Sequence, residues 1–509
     1  MKWLIITLVA IPCYSYRILC LLPYPGKSHN MVFEPLLEEL TTRGHQLTVV
    51  TFFPASPQPN RRDVSLEGLA PLNVEIVNLQ DAAATSFLGL DKYYESVPIV
   101  TQLALANLEI CRRIINAEVF KEFLKAEGDY DIILVEHFNS DCMLGIVYSY
   151  GLPSVGLSSS AVMPWTPLRV GAPDNPAYVP LMTLPLTEDM TFFERIVNTF
   201  FLFFFEIWFE MKIRGEEQRI LEKALGRTLP RLSEVSKNAS AVLVNTYYTL
   251  NGVRNIPPSV VEVGGLHLHN RSVQRLPEDL ETWVNETNDG FIVFTFGSLI
   301  RSSTLPLSHL EAIIAVFKRL PQRIIWKWET EYVPNMPPNM LVKKWLPVFD
   351  LLHHPKCIAV ITHGGLLTLT ETVSAGVPAL IIPILGDQFG NAAHAKRAGI
   401  AEVLRFGELD ENTFYAAVQK VISPEMRDKA KAVSKLWKDR PMSPMETAIY
   451  HIERAVRQKG VDSSSHARKL NRFQLALLDI IAFSIIIMVA LGYFVKIILR
   501  KLKRKEKQC

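Results

Sequence analysis

The stretch Ile480 to Val495 carries no charged residue, and a basic run follows it at once. With the residues from Phe473 it is long enough to cross a bilayer, so 473–495 reads as a membrane span. A span at one end constrains the rest, because the chain before it must fold as a body on one side of a membrane. In the tail 496–509, seven basic side chains (Lys496, Arg500, Lys501, Lys503, Arg504, Lys505 and Lys507) stand against Glu506, a net charge of +6. By the positive-inside rule the tail is cytosolic and the body lumenal. The whole chain is only +3, so the body carries −3 and presents no basic field for nucleic acid.

The other end agrees with this topology. Lys2 precedes an apolar run from Trp3 to Pro12, then small or polar residues up to Ser15, the layout of a secretory signal over 1–15. A single-pass type I protein results. Its closing Lys505-Glu506-Lys507-Gln508-Cys509 fits a dilysine-type retrieval pattern, which predicts the endoplasmic reticulum membrane. Sequons at Asn238, Asn270 and Asn285 suit a lumenal body. Cys20, Cys111, Cys142 and Cys357 show no CxxC or zinc-ligand spacing. Most lie in apolar segments, where free buried cysteine is the expectation, and no disulfide framework is predicted.

Within the body, Arg17 to Leu22 is an apolar run broken by Pro23 to Ser28. Val32, Phe33, Leu36, Leu37 and Leu40 then recur at helical spacing until Gly44, and Leu47 to Phe53 is a second apolar run. That is a βαβ start to a parallel sheet. Further strands are predicted at Asp131–Val135 and Ser154–Leu157. A second unit opens at Phe291–Phe296, with strands at Arg323–Trp328, Leu341–Trp345, Cys357–Thr362 and Ala379–Ile382. The expected layout is an α/β chain of two doubly wound domains, 16–250 and 286–440. A linker, 251–285, joins them, and 441–472 supplies C-terminal helices and a juxtamembrane segment. The aromatic stretch 192–211 is too short to span and reads first as a core or acceptor-pocket helix, with an interfacial helix as the other reading.

Chemistry concentrates between 345 and 388. His363-Gly364-Gly365 stands where a strand meets a helix, so backbone N–H groups and a helix dipole both favour an anion such as a diphosphate. Glu371 can accept from two vicinal hydroxyls, as a ribose offers. Asp387-Gln388 at the next strand end offers an acceptor and an amide for sugar hydroxyls. Trp345 gives a flat face for a base.

The whole string, Trp345-Leu-Pro, Thr362-His-Gly-Gly365, Glu371, Pro378, Pro383 and Asp387-Gln388, resembles the donor signature of the UDP-glycosyltransferase family. The likeness extends to the signal, the histidine loop Gly26-Lys-Ser-His29, the Gly297-Ser298 turn and the anchor, and it looks closest to arthropod members. The resemblance implies a GT-B fold, two Rossmann-like domains facing a cleft. It implies Trp345 on uracil, Ser298, His363, Gly364 and Gly365 at the diphosphate, Glu371 on ribose, Asp387 and Gln388 on the sugar, and Lys327 near the donor. It implies His29 as the base that deprotonates an acceptor hydroxyl, with inversion at the anomeric carbon and no metal or cofactor. The acidic partner of His29 is either Glu136 or Asp141.

Two residues depart from the family pattern. Val348 stands where relatives carry Gln after Trp-x-Pro, and Leu366-Leu367 follows His-Gly-Gly where many vertebrate relatives are polar. The expected enzyme is a hexosyltransferase moving glucose from a UDP-sugar to a small lipophilic acceptor (phenol, steroid, pigment or xenobiotic), which suggests detoxification. Glucuronate transfer is one alternative, and a catalytically silent GT-B membrane protein that binds a ligand or partner is another. A homo-oligomer is open.

Overall fold

A computed structural model describes residues 15–72, 76–80, 96–126, 128–167, 174–459 and 465–506. All of the expected signal but Ser15, and the last three residues of the tail, lie outside these. Seven parallel strands form the first sheet: β1 (Arg17–Leu22), β2 (Gln46–Thr51), β3 (Arg61–Ser65), β5 (Ile132–Glu136), β6 (Ser154–Ser158), β7 (Ala241–Val244) and β8 (Val260–Glu262), in the order β3-β2-β1-β5-β6-β7-β8. Six parallel strands form the second: β9 (Phe291–Thr295), β11 (Arg323–Lys327), β12 (Met340–Lys343), β13 (Cys357–Thr362), β14 (Ala379–Ile381) and β15 (Ala401–Val403), in the order β12-β11-β9-β13-β14-β15. The central strands β5, β6, β9 and β13 are buried along their whole length, as sheets covered by helices on both faces require.

Both orders reverse next to the first strand of their sheet, between β1 and β5 and between β9 and β13. Such a switch point opens a crevice at the carboxyl ends of the strands. Helix α1 (Lys27–Thr42) leaves β1 there. In the second sheet, α4 (Leu366–Ala375) leaves β13 and α5 (Gln388–Arg397) follows β14.

Among the described residues, a strand pairing and a returning helix stitch the two halves together. A short strand β4 (Val77–Asn78) from the first half pairs in parallel with β10 (Ile300–Arg301) of the second. Farther on, α6 (Pro444–Arg457) returns to the first sheet. Its Met445, Ala448, Ile449 and Ile452 share a core with Ile18, Leu36, Val155 and Leu243. The expected linker is also more ordered than its Pro and Gly content suggests, since it supplies β8 and the helix Glu278–Asn285.

Two expectations change. Cys111 and Cys142 are not free: they form a disulfide that ties α2 (Ser96–Asn116) to the segment just past β5. The pairing is set by α2 folding back across the end of β5, which spacing in sequence does not show. Cys20 and Cys357 are free and buried. The aromatic stretch becomes α3 (Phe192–Phe209), started by a capping box of Thr191 and Glu194. Only one face of it is core. Leu202, Phe205 and Phe209 pack on Met163, Trp165, Leu181 and Met190, with Phe209 stacked on Trp165 at 4.1 Å.

The long C-terminal helix α7 runs Leu478–Glu506, and its part Leu478–Lys501 is long and apolar enough to cross a membrane. It starts later than the expected 473. Asn471 caps a separate turn, Arg472–Leu475, and Leu477 adopts a left-handed conformation (φ 56°) between the two.

Candidate active site

A cavity of about 550 Å³ lies between the carboxyl ends of the two sheets and takes walls from both. On the first side, β1 ends at Leu22, and α1 begins one loop later, so His29 sits in the first helical turn. Its Nδ1 lies 2.6 Å from Glu136 Oε1 and 2.8 Å from Ser159 Oγ. Glu136 is the last residue of β5, and Ser159 immediately follows β6, so three adjacent strand ends converge on one imidazole nitrogen. A carboxylate can only accept, so the proton belongs on Nδ1 and the lone pair on Nε2. Tyr24 and Phe138 wall the ring, with centroids 4.3 and 4.5 Å away.

Asp141, the rival partner, goes elsewhere. Its Oδ2 accepts from Arg214 Nε at 2.6 Å, and its own backbone N–H donates to Glu217 Oε2 at 2.9 Å. All three side chains are buried. Burial, and then the charge of Asp141, push the Glu217 carboxyl up to about 7. The sequence reading of Asp141 is corrected on that geometry: a buried arginine claims it.

On the second side, β13 ends at Thr362, and His363 is buried beneath Gly297 and Gly365. A Cβ at Gly297 (φ +74°) would stand 2.6 Å from His363 Cε1, and a Cβ at Gly365 would strike Nε2. Gly364 (φ +83°) needs the left-handed region, and a Cβ there would meet Ile381 at 2.7 Å. Gly297 and Gly365 thus let the imidazole pack against bare backbone at the N-terminus of α4, while Gly364 leaves room for Ile381. Burial, helped by the charge of Lys327, pushes His363 down to about 4, so it is neutral at neutral pH.

The remaining donor-signature residues line the same cavity. Trp345 is 69% exposed at its rim, with its face open. Ser298 follows the Gly297 turn, and Lys327 ends β11, 3.2 Å from Glu329 Oε1. Gln388 Oε1 accepts from the backbone N–H groups of Ile384 and Leu385 at 2.9 and 3.0 Å, which leaves its amide nitrogen as the group to offer. Asp387 accepts from Asn391 Nδ2 at 3.0 Å. Burial raises the Asp387 carboxyl, and the hydrogen bond from Asn391 opposes the rise.

Glu371 points from α4 into the cavity, where Oε1 accepts from Arg271 Nη1 at 2.7 Å. Burial raises this carboxyl and Arg271 opposes the shift. The Arg271 guanidinium also lies 4.2 Å from the Phe349 ring centroid. Neither Arg271 nor Ser159 was expected from sequence. Ser159 could have been found in the polar run that closes β6, whereas Arg271 lies inside a sequon in a segment read as linker.

The family model described as UDP-glucoronosyl and UDP-glucosyl transferase matches residues 19–508. This chain belongs to that family. Among relatives, a UDP-glycosyltransferase of Dactylopius coccus, UGT5, is 33% identical over 500 residues, covering 96% of this chain and 93% of its own length. Human UDP-glucuronosyltransferase 2B7 is 28% identical over 482 residues, 90% of this chain and 88% of its own. Solved structures agree on the fold. The glycotransferase of kitacinnamycin superposes with a TM-score of 0.58 at 15% identity, covering 87% of this chain and 100% of that one. SnogD from Streptomyces nogalater gives 0.54 at 17% identity, again over 87% and 100%. The fold is GT-B and the protein is a UDP-glycosyltransferase.

Against the UDP-glycosyltransferase pattern, the two departures have structural consequences. Val348 opens the short helix Val348–Leu352 and packs on the core of the second sheet. Leu367 packs against the core shared by β1 and α6, so an apolar contact between the halves replaces a polar side chain there.

Proposed function

We propose that this UDP-glycosyltransferase moves glucose from UDP-glucose to a hydroxyl of a small lipophilic acceptor, with inversion and with His29 as the base. The observation that carries the reading is the His29 Nδ1–Glu136 contact of 2.6 Å, which aims a basic Nε2 at a cavity shared with Asp387. In the proposed step the acceptor O–H proton passes to Nε2 while that oxygen bonds to the anomeric carbon. The bond from that carbon to the diphosphate oxygen breaks, and UDP leaves with the electron pair. The Glu136 carboxylate stabilises the imidazolium that forms. The amides at the start of α4, with Ser298 and neutral His363, are placed to stabilise the departing diphosphate. Trp345 would stack on uracil, Glu371 would bind the ribose, and Asp387 with the Gln388 amide would hold sugar hydroxyls. This reading calls for no metal or cofactor.

Glucose is preferred over glucuronate because Lys327, in the donor wall of the cavity, faces Glu329. The assembled His29–Glu136 pair favours an enzyme over a silent binding protein. Apolar Met163 and Met182 and the aromatic Tyr24 and Phe138 on the acceptor side suit a lipophilic, planar substrate. We place the body in the endoplasmic reticulum lumen; Asn238, Asn270 and Asn285 are all exposed, as glycan acceptors must be. The test is acceptor-dependent UDP release with UDP-glucose and UDP-glucuronate, wild type against His29→Ala. Release that persists unchanged in the variant would overturn the base, and a preference for UDP-glucuronate would overturn the donor.

A further inference from the structure

Helix α3 presents a second face that its core packing does not use. Phe192, Ile196, Phe200, Phe203, Ile207 and Met211 are all exposed, Phe192 by 71%, Phe200 by 61%, Ile207 by 58% and Met211 by 70%. Their spacing of four, four, three, four and four residues is that of one helical stripe. At the α-helical turn the five within α3 fall within an arc of about 80°, and Met211 continues the line in the π-helical turn Glu210–Arg214 that follows. The buried residues Asn198, Leu202, Phe205 and Phe209 take the opposite side. A helix at a water-exposed surface carries charged or polar residues on that outer face. Single exposed apolar side chains are ordinary, but a continuous apolar stripe marks a contact.

The chain's own span identifies the partner. The lead-in to α7 is strapped to the first half by two arginines. Arg468 donates to the carbonyl oxygens of Lys237 and Ala239, at 2.6 and 3.0 Å. Arg472 pairs with Glu206, on the flank of the stripe, and its guanidinium lies 4.8 Å from the Phe203 ring centroid. The span begins at Leu478. At the reach of an extended chain, the residues between Arg472 and Leu478 carry it no more than about 20 Å from the Arg472 backbone. The helix that shows the stripe is thus the helix to which the span is fastened. Arg195, over the Phe192 ring at 5.8 Å, and Lys212 past the other end put a cation, beside Glu194 and Glu210, within reach of lipid headgroups at each end of the stripe.

We infer that α3 lies in the interface of the phospholipid bilayer that α7 crosses, with the stripe from Phe192 to Met211 set among the acyl chains. The inference rests on α7 being a span. It gives the protein a second membrane contact and sets the acceptor side of the cleft close to lipid, since the core beneath α3 includes Met163, which lines the cavity.

The test uses the full-length chain in phospholipid nanodiscs, with nitroxide labels on single introduced cysteines. Cys20 and Cys357 are buried and Cys111 and Cys142 are bonded, so only Cys13 and Cys509 need replacement by serine. Phe200→Cys and Ile207→Cys report on the stripe, Met488→Cys on the span, and Tyr332→Cys on a water-exposed surface of the donor half. Both stripe labels are expected to be severalfold less accessible than Tyr332→Cys to a water-borne nickel chelate, and more accessible to oxygen, as at Met488→Cys. Stripe labels that behave like Tyr332→Cys while Met488→Cys reports lipid would overturn the inference and leave the span intact. A water-accessible Met488→Cys would overturn the span itself. Protection from both agents that is lost in discs holding one chain would assign the face to a second copy and equally overturn the inference.

Discussion

At the scale of single residues, the two carboxylates near His29 separate by what each touches. Glu136→Gln keeps a hydrogen-bonding side chain but removes the charge that steadies the imidazolium. Turnover should fall by roughly two to three orders of magnitude in steady-state UDP release, with the fold unchanged by circular dichroism. Asp141→Asn should do the reverse. It takes the buried carboxylate from Arg214 and leaves only the more exposed Glu210, at a cost of about 3 kcal/mol in thermal unfolding. Arg271→Ala exposes the chemistry of Glu371. Burial already raises this carboxyl and Arg271 restrains it, so the variant holds it protonated to higher pH. KM for the UDP-sugar should therefore rise, as pH falls, at a higher pH than in the wild type. The donor residues were legible because they form one contiguous string in which each strand end carries its own group. Arg271 and Ser159 were not, because each is a lone polar residue whose role exists only once distant segments meet.

Among the elements, burial explains which ones the sequence announced. Strands β1, β5, β9 and β13 lie under helices on both faces and so read as unbroken apolar runs. Short β7 and β8 did not stand out, and β8 lay inside a stretch rich in Pro and Gly. In α3 apolar residues occupy both the inner and the outer face, which hid the division between a core face and an outer one. The Cys111–Cys142 bond ties α2 to the segment after β5, and chain spacing says nothing of that crossing. Replacing both cysteines by alanine should cost about 2–4 kcal/mol of stability, read as a lower denaturant midpoint. The helix Gly215–Leu225 carries Glu217 into the same region. The folded-state pKa of Glu217, about 7, lies above its ordinary 4.5, so its contribution is full below the ordinary value and is lost as pH rises to about 7. Glu217→Gln should flatten the decline in Tm between pH 5 and pH 8.

For the whole molecule, two sheets with separate cores might be expected to unfold separately. The β4–β10 pairing and the return of α6 argue for coupling. Ile449→Asp in α6 buries a charge against β1, β6 and β7 although it lies far along the chain from them. Scanning calorimetry should show one transition for the wild type, and this variant should lower that transition rather than split off a donor-half shoulder. The same return of α6 bears on how the protein is made. The first sheet is the first part of the chain to leave the ribosome, yet the core face around Ile18, Val155 and Leu243 is completed by residues 445–455. During synthesis that face stays unsealed until the donor half has emerged, so the opening domain has to wait for nearly the last helix before the span.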